Sequence, residues 1–150
     1  MKKIFLALAA LAFTAWGCSG NDDNDENPAE KGFQCGDVTR PSWRIPNFDD
    51  YDLSMIVDVT VQDTLQSYVT YNDLLCATIN DEVRGLAEPE KSNNKWRFLL
   101  TVASDESGQD VVLSYYCDSL HRIFTTEWIK FDSSIPPTGE GEVYVPVFVK

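Results

Sequence analysis

A single histidine, His121, limits the catalytic chemistry that this 150-residue chain can carry. It lies in "DSLHR", just behind Asp118 and Ser119, and together these are the three residue types of an activated serine nucleophile. Triads are assembled from distant segments, whereas neighbours on a strand point to alternate faces. No Gly-x-Ser-x-Gly elbow occurs, so His121 reads as a turn or edge-strand residue. The 24 Asp and Glu residues are numerous enough for a glycosidase-like carboxyl pair, which needs a spacing of about 5–10 Å around an apolar pocket. Most of them sit at turns. The expectation is a non-enzymatic protein with no catalytic residue and no cofactor.

Binding chemistry is better represented. Arg84, in "DEVRG", could meet a carboxylate or a sugar hydroxyl. Its competing role is to pair with Glu82 or Asp81, with Gly85 supplying a bulge or a positive φ. Trp43, Trp96 and Trp128, with Tyr51, Tyr68, Tyr71, Tyr115, Tyr116 and Tyr144, are many aromatics for one domain. Exposed Trp and Tyr rings stack on the apolar faces of sugars. Trp96 alternates with Phe98 and Leu100 and so belongs to a core face. Trp128, Tyr68 and Tyr71 are left as the candidate platform, with Arg84 as a candidate polar contact.

The front of the chain says where such a module would sit. Lys2 and Lys3 precede the apolar run "IFLALAALAF" at 4–13, which is short of the roughly 20 residues of a permanent span. Residues 1–17 therefore read as a secretory signal peptide. The following "TAWGC" resembles a lipobox, and the resemblance implies that Cys18 is diacylated and opens the mature chain. Dual acylation would hold the protein firmly to a membrane. Residues 18–32, including "SGNDDNDENPAEKG", lack apolar periodicity and read as a disordered acidic tether. An acidic run behind the lipidated cysteine resembles the export signal of Bacteroidetes surface lipoproteins. That implies an outer-membrane lipoprotein facing the cell exterior. "DNDEN" from Asp23 imitates the start of a calcium loop, but Pro28 and Gln34 stand where Gly and Glu are required. No metal is expected.

Removal of the leader takes Lys2 and Lys3 with it, moving the formal charge from −12 to −14. So acidic a chain lacks the clustered Lys and Arg that nucleic acid demands. With Cys18 assigned to lipid, Cys35, Cys76 and Cys117 remain. An oxidising compartment permits one bridge. Cys76 shares a face with Leu74, and Cys117 with Leu113 and Tyr115, so each can point inward; a Cys76–Cys117 pair with Cys35 free is expected. A bridge through Cys35, or three thiols, are the alternatives.

Residues 33–150 suit one domain. "LSMIVDVTV" at 53–61 alternates as a half-buried strand. "LLCATI" (74–79) and "VRGLA" (83–87) flank "NDE" as a hairpin. "KWRFLLTVAS" (95–104) and "DVVLSYYC" (110–117) flank "DESGQ" as a second hairpin. "RIFTTEWIKF" (122–131) and "EVYVPVFV" (142–149) supply further strands, the last with Pro146 marking an edge or a bulge. No stretch sustains helical periodicity. The expected fold is an all-β antiparallel sandwich of 7–8 strands behind the tether.

"YDLSMIVDVTV", "DLLCATINDEVRGLA", "WRFLLTVASDESGQDVVLSYYCDSLHRIF" and "PTGEGEVYVPV" resemble a β domain recurrent in Bacteroidetes exported proteins. The likeness runs over 51–147, and "DEVRG" keeps the Asp81, Glu82, Arg84 and Gly85 of that family's hairpin. The family has no settled activity, so the resemblance brings no catalytic residues. The function expected is a surface-exposed, lipid-anchored binding or accessory module for a glycan or another surface protein. The alternative is a structural or assembly subunit with no small ligand.

Overall fold

Alternation in "LSMIVDV" becomes β1 (Leu53–Val59), which turns Met55, Val57 and Val59 into the core and leaves Ser54 and Ile56 outside. The computed structural model describes residues 33–126, 128–134 and 143–149. The expected signal peptide (1–17), the expected acidic tether (18–32) and Cys18 lie outside the described residues. A 3-10 turn (Phe48–Asp50) precedes β1, and one helical turn, α1 (Asp63–Gln66), follows it. The strands after it are β2 (Leu74–Ile79), β3 (Glu82–Ala87), β4 (Glu90–Ser92), β5 (Lys95–Ser104), β6 (Asp110–Cys117), β7 (Arg122–Thr125) and β8 (Ile129–Lys130). They form two antiparallel sheets, β1-β5-β4 and β3-β2-β6-β7, with β8 also paired to β6. The protein is an all-β sandwich.

Two tight turns set the register. Asn80 and Asp81 both have positive φ, as do Asn93 and Asn94. Each pair makes the two-residue loop whose twist matches that of a hairpin, closing β2–β3 and β4–β5. β3 and β4 follow each other across Glu88 and Pro89 but pair in different sheets, so this stretch turns a corner of the sandwich. Near it β3 lies hard against β5. A Cβ on Gly85 would stand 2.3 Å from the Thr101 carbonyl oxygen, so close backbone approach, not positive φ, requires glycine here. The predicted bulge is present beside it: Ala77 faces Gly85 and Thr78 faces Val83, which leaves Arg84 as the extra residue.

Three expectations about the strands need correction. "DESGQ" is not a hairpin loop, because β5 and β6 belong to different sheets and the loop arches between them. Ser104 organises the arch by accepting the Glu106 N–H and donating to Gln109 Oε1. "RIFTTEWIKF" is split into β7 and β8. "EVYVPVFV" makes no ladder over its described part; 143–149 is an extended strap held by two isolated bridges, Val59–Tyr144 and Thr125–Val149.

Tyr115, Phe98, Phe124, Phe131, Leu100, Leu113 and Met55 fill the space between the sheets. Each contributes about 1.5–3 kcal/mol of transfer free energy.

Candidate functional site

The strap and the break between β7 and β8 together make an open cleft. Past Thr125 the pairing with β6 shifts: Ser114 faces Thr125, but Val111 faces Ile129. The register thus shifts by one residue between these two pairings, as at a β-bulge. Thr126 holds it, donating its N–H to Leu113 O (3.0 Å) and accepting the Leu113 N–H on Oγ1 (3.2 Å). The extra residue reverses the parity of the strand. Phe124 is buried, and in an unbroken strand Trp128 would share its face; instead Trp128 is 58% exposed.

Opposite this bulge runs the strap. Tyr144 donates its N–H to Asp58 O (2.7 Å) and accepts the Thr60 N–H (2.9 Å). Phe148 N–H reaches Gln62 Oε1 (2.9 Å), and Val149 exchanges both bonds with Thr125. Pro146 and Phe148 are buried, whereas Val145, Val147 and Val149 are exposed. The strap therefore leans on the edge strand β1 at one end and on β7 at the other. Between it and the bulge lies a cleft of about 340 Å³, lined by Thr126, Trp128, Tyr144, Val145, Pro146, Val147 and Val149. Across the strap, a second cleft of about 280 Å³ borders Lys95 and Arg97. Arg97 is already held there by the Asp58 carboxylate.

The predicted platform does not assemble. Tyr68 is half-buried, edge-on to Phe33 at 6.0 Å, with its carbonyl accepting the Ser119 hydroxyl (2.5 Å). Tyr71 is 70% exposed and meets Trp96 edge-on at 4.7 Å. Trp128 faces the strap cleft, with Lys130 Nζ 4.8 Å from its ring centre and bound in turn to Asp110 (2.5 Å). Alternation could not show that bulge and loop would send the three rings to three places. Arg84 is only 12% exposed; it pairs with Glu82 (2.9 Å) and caps the Tyr51 ring at 4.6 Å. Its guanidinium is thus engaged within the chain.

The Cys76–Cys117 disulfide is also overturned, since both are buried free thiols. Register explains it: Cys76 faces Ser114 on β6, so it shares the sheet face of Ser114 and Tyr116. Cys117 alternates with Tyr116 and points to the opposite face, into the core. Strand neighbours on opposite faces cannot be bridged without moving the backbone. Burial pushes the Cys76 thiol up to about 12 and raises that of Cys117, so both are protonated and inert at neutral pH. Cys35, which that pairing would leave free, is instead disulfide-bonded.

A polar cluster that the sequence did not disclose lies at one end of the β2–β6 pair. Asp73, fully buried, accepts hydrogen bonds from Tyr115 OH (2.5 Å), Thr70 Oγ1 (2.8 Å) and Asp118 N–H (3.0 Å). Desolvation raises its pKa, and the hydrogen bonds partly offset the rise. Ser119 and Cys117 adjoin it, but the Ser119 hydroxyl donates to Tyr68 O and not to His121. His121 is an exposed turn residue with positive φ. The cluster braces the fold. Among the described residues no group of three or more His, Cys, Asp or Glu is placed to hold a metal ion.

No protein-family model, no curated protein and no solved structure matches this chain.

Proposed function

We propose that this protein is a lipid-anchored, surface-exposed binding module of the outer membrane that engages another surface protein through the Trp128 face. The observation that carries the reading is the row of exposed apolar side chains formed by Trp128, Val145, Val147 and Val149 around one cleft. Exposed aromatic and aliphatic groups gathered in one place mark interaction surfaces on soluble domains. Valines present no flat face to a sugar ring, so a protein partner suits this cleft better than a glycan. The acidic surface keeps nucleic acid away.

The experiment places a photo-crosslinking amino acid at Val147 in the full-length protein on intact cells, with Leu99, exposed on the other sheet, as control. One discrete protein adduct at Val147, absent at Leu99 and competed by unmodified protein, is expected. Identical patterns at the two positions would defeat the reading. Anchoring rests on "AWGC" after the apolar run. Cys18→Ala should abolish fatty-acid labelling and release the protein from membranes. Because Cys35 is disulfide-bonded while Cys76 and Cys117 are free thiols, anchoring further requires that Cys18 be a thiol when the lipid is attached. A Cys18–Cys35 disulfide in the mature protein, read by non-reducing peptide mapping, would exclude a lipid thioether and with it the anchor.

Glycan binding is favoured by a different spot. Exposed Tyr71, set edge-on against Trp96 with Lys91 Nζ 5.3 Å from the Trp96 ring, offers a ring face beside a hydrogen-bond donor. Glycan-array binding lost in Tyr71→Ala and kept in Trp128→Ala would move the functional site there.

A further inference from the structure

The strap has an unused hydrogen-bonding edge, and the edge faces the cleft. In an extended segment successive N–H and C=O groups point to alternate sides. Tyr144 and Phe148 direct theirs toward β1 and Gln62, while Val149 directs its own toward β7. Val145 and Val147 share the parity of Val149, so their N–H and C=O groups point to the β7 side. There the cleft lies between these residues and Thr126 and Trp128. Among the described residues, neither Val145 nor Val147 has a backbone hydrogen-bond partner. Pro146 between them has no N–H to offer, and its missing donor belongs to the other side of the strap.

We infer that this cleft accepts an extended peptide segment of the partner protein, added as a short β-strand along Val145 and Val147 with Trp128 closing its far side. The inference rests on the protein-binding reading and specifies its recognition mode. Strand addition supplies affinity through main-chain bonds and specificity through alternate side chains. An inserted strand's outward residues would lie between Val147 and Trp128, which are both exposed and apolar; cross-strand pairs of aromatic and β-branched residues are favourable. The segment is therefore apolar at alternate positions. The cleft, about 340 Å³, lies near the lower limit of ligand pockets and takes only a few residues.

The test selects a phage-displayed random heptapeptide library on the full chain in detergent micelles, with Val147→Pro as the counter-target. Proline removes one outward N–H that has no partner within the fold, and Val147→Thr serves as the control that keeps it. Unfolding curves of both variants should overlay the parent. Enriched peptides should alternate apolar residues and bind Val147→Pro roughly tenfold more weakly, as expected for the loss of about one hydrogen bond with its neighbours. N-methylation of alternate amides in the best peptide should weaken it by a similar factor. Peptides that bind Val147→Pro equally well, or tolerate N-methylation, would overturn strand addition. So would failure of the library to enrich, or a dimer of this chain that Val147→Pro dissociates. A cross-linked partner at Val147 combined with any of these results would leave the protein-binding reading standing without the strand mode.

Discussion

Two regions of this sandwich treat their polar groups in opposite ways. Around Asp73 three donors, the Thr70 and Tyr115 hydroxyls and the Asp118 N–H, are aimed at one fully buried carboxylate. Around Trp128 the aromatic ring, three valines and the outward backbone of the strap are left to solvent. Closing a polar cluster rigidifies a fold, because each buried group without a partner costs about 1–3 kcal/mol. Leaving an edge open does nothing for stability and invites strand pairing. The first region is where the chain is made stable, and the second is where it can meet something else.

Within the strap the same division runs residue by residue, and its inner row should show the largest effect. Phe148 is buried and lies 5.5 Å from Tyr115, ring to ring. Phe148→Ala should cost about 3–5 kcal/mol, read from urea unfolding. A loss below about 1 kcal/mol would mean that the strap does not close the core.

The polar end comes next. Asp73→Ala strands the Tyr115 hydroxyl, the Thr70 hydroxyl and the Asp118 N–H, and should destabilise by about 2–4 kcal/mol. Asp73→Asn keeps an acceptor and should cost less. Asp73 also ties the first region to pH. The folded Asp73 carboxyl is raised above 3.8 by desolvation, so the native state binds more protons than the unfolded chain between those values. Its contribution is therefore fully present below pH 3.8 and is lost as pH rises through the folded value. Relative to Asp73→Asn, the parent should lose stability over that window, by a fraction of what Asp73→Ala costs. A flat difference would show that folding does not shift the Asp73 carboxyl.

How far the sequence discloses each region follows from the same physics. Alternation in β1 is written in single residues, because Met55, Val57 and Val59 must all face one way. β4 carries no such mark: Glu90, Lys91 and Ser92 are all exposed, and only the Asn93–Asn94 turn betrays it. "DESGQ" looks like a hairpin because turn chemistry fixes a reversal but not which sheet each arm joins. β2 is buried along nearly its whole length, so its composition cannot say that Cys76 and Cys117 occupy opposite faces. The cleft was the least visible feature. Trp128 was legible as a candidate, but its partners depend on a one-residue bulge and on a strap with no ladder. Asp73 was missed because an isolated acid before a strand looks like any turn residue, and its three donors come from positions as distant as Tyr115 and Asp118.

The smallest expected effect on stability belongs to the residue expected to matter most for binding. Trp128 is exposed, and its described contacts are the cleft wall and Lys130. Trp128→Ala removes a cation–π contact worth about 0.5–1 kcal/mol at exposed sites and little else, so unfolding curves should shift by less than about 1 kcal/mol. On cells, cross-linking from Val147 should nevertheless fall several-fold, because an aromatic anchor at the mouth of a cleft carries a large share of partner affinity. Phe148→Ala reduces the same cross-link by a different route, through the strap itself, and its effect should scale with the fraction unfolded. A Trp128→Ala protein that unfolds like Phe148→Ala would make the open face part of the core, and the contrast between the two regions would collapse. Full stability with an unchanged cross-link would leave the contrast intact but remove Trp128 from the interaction.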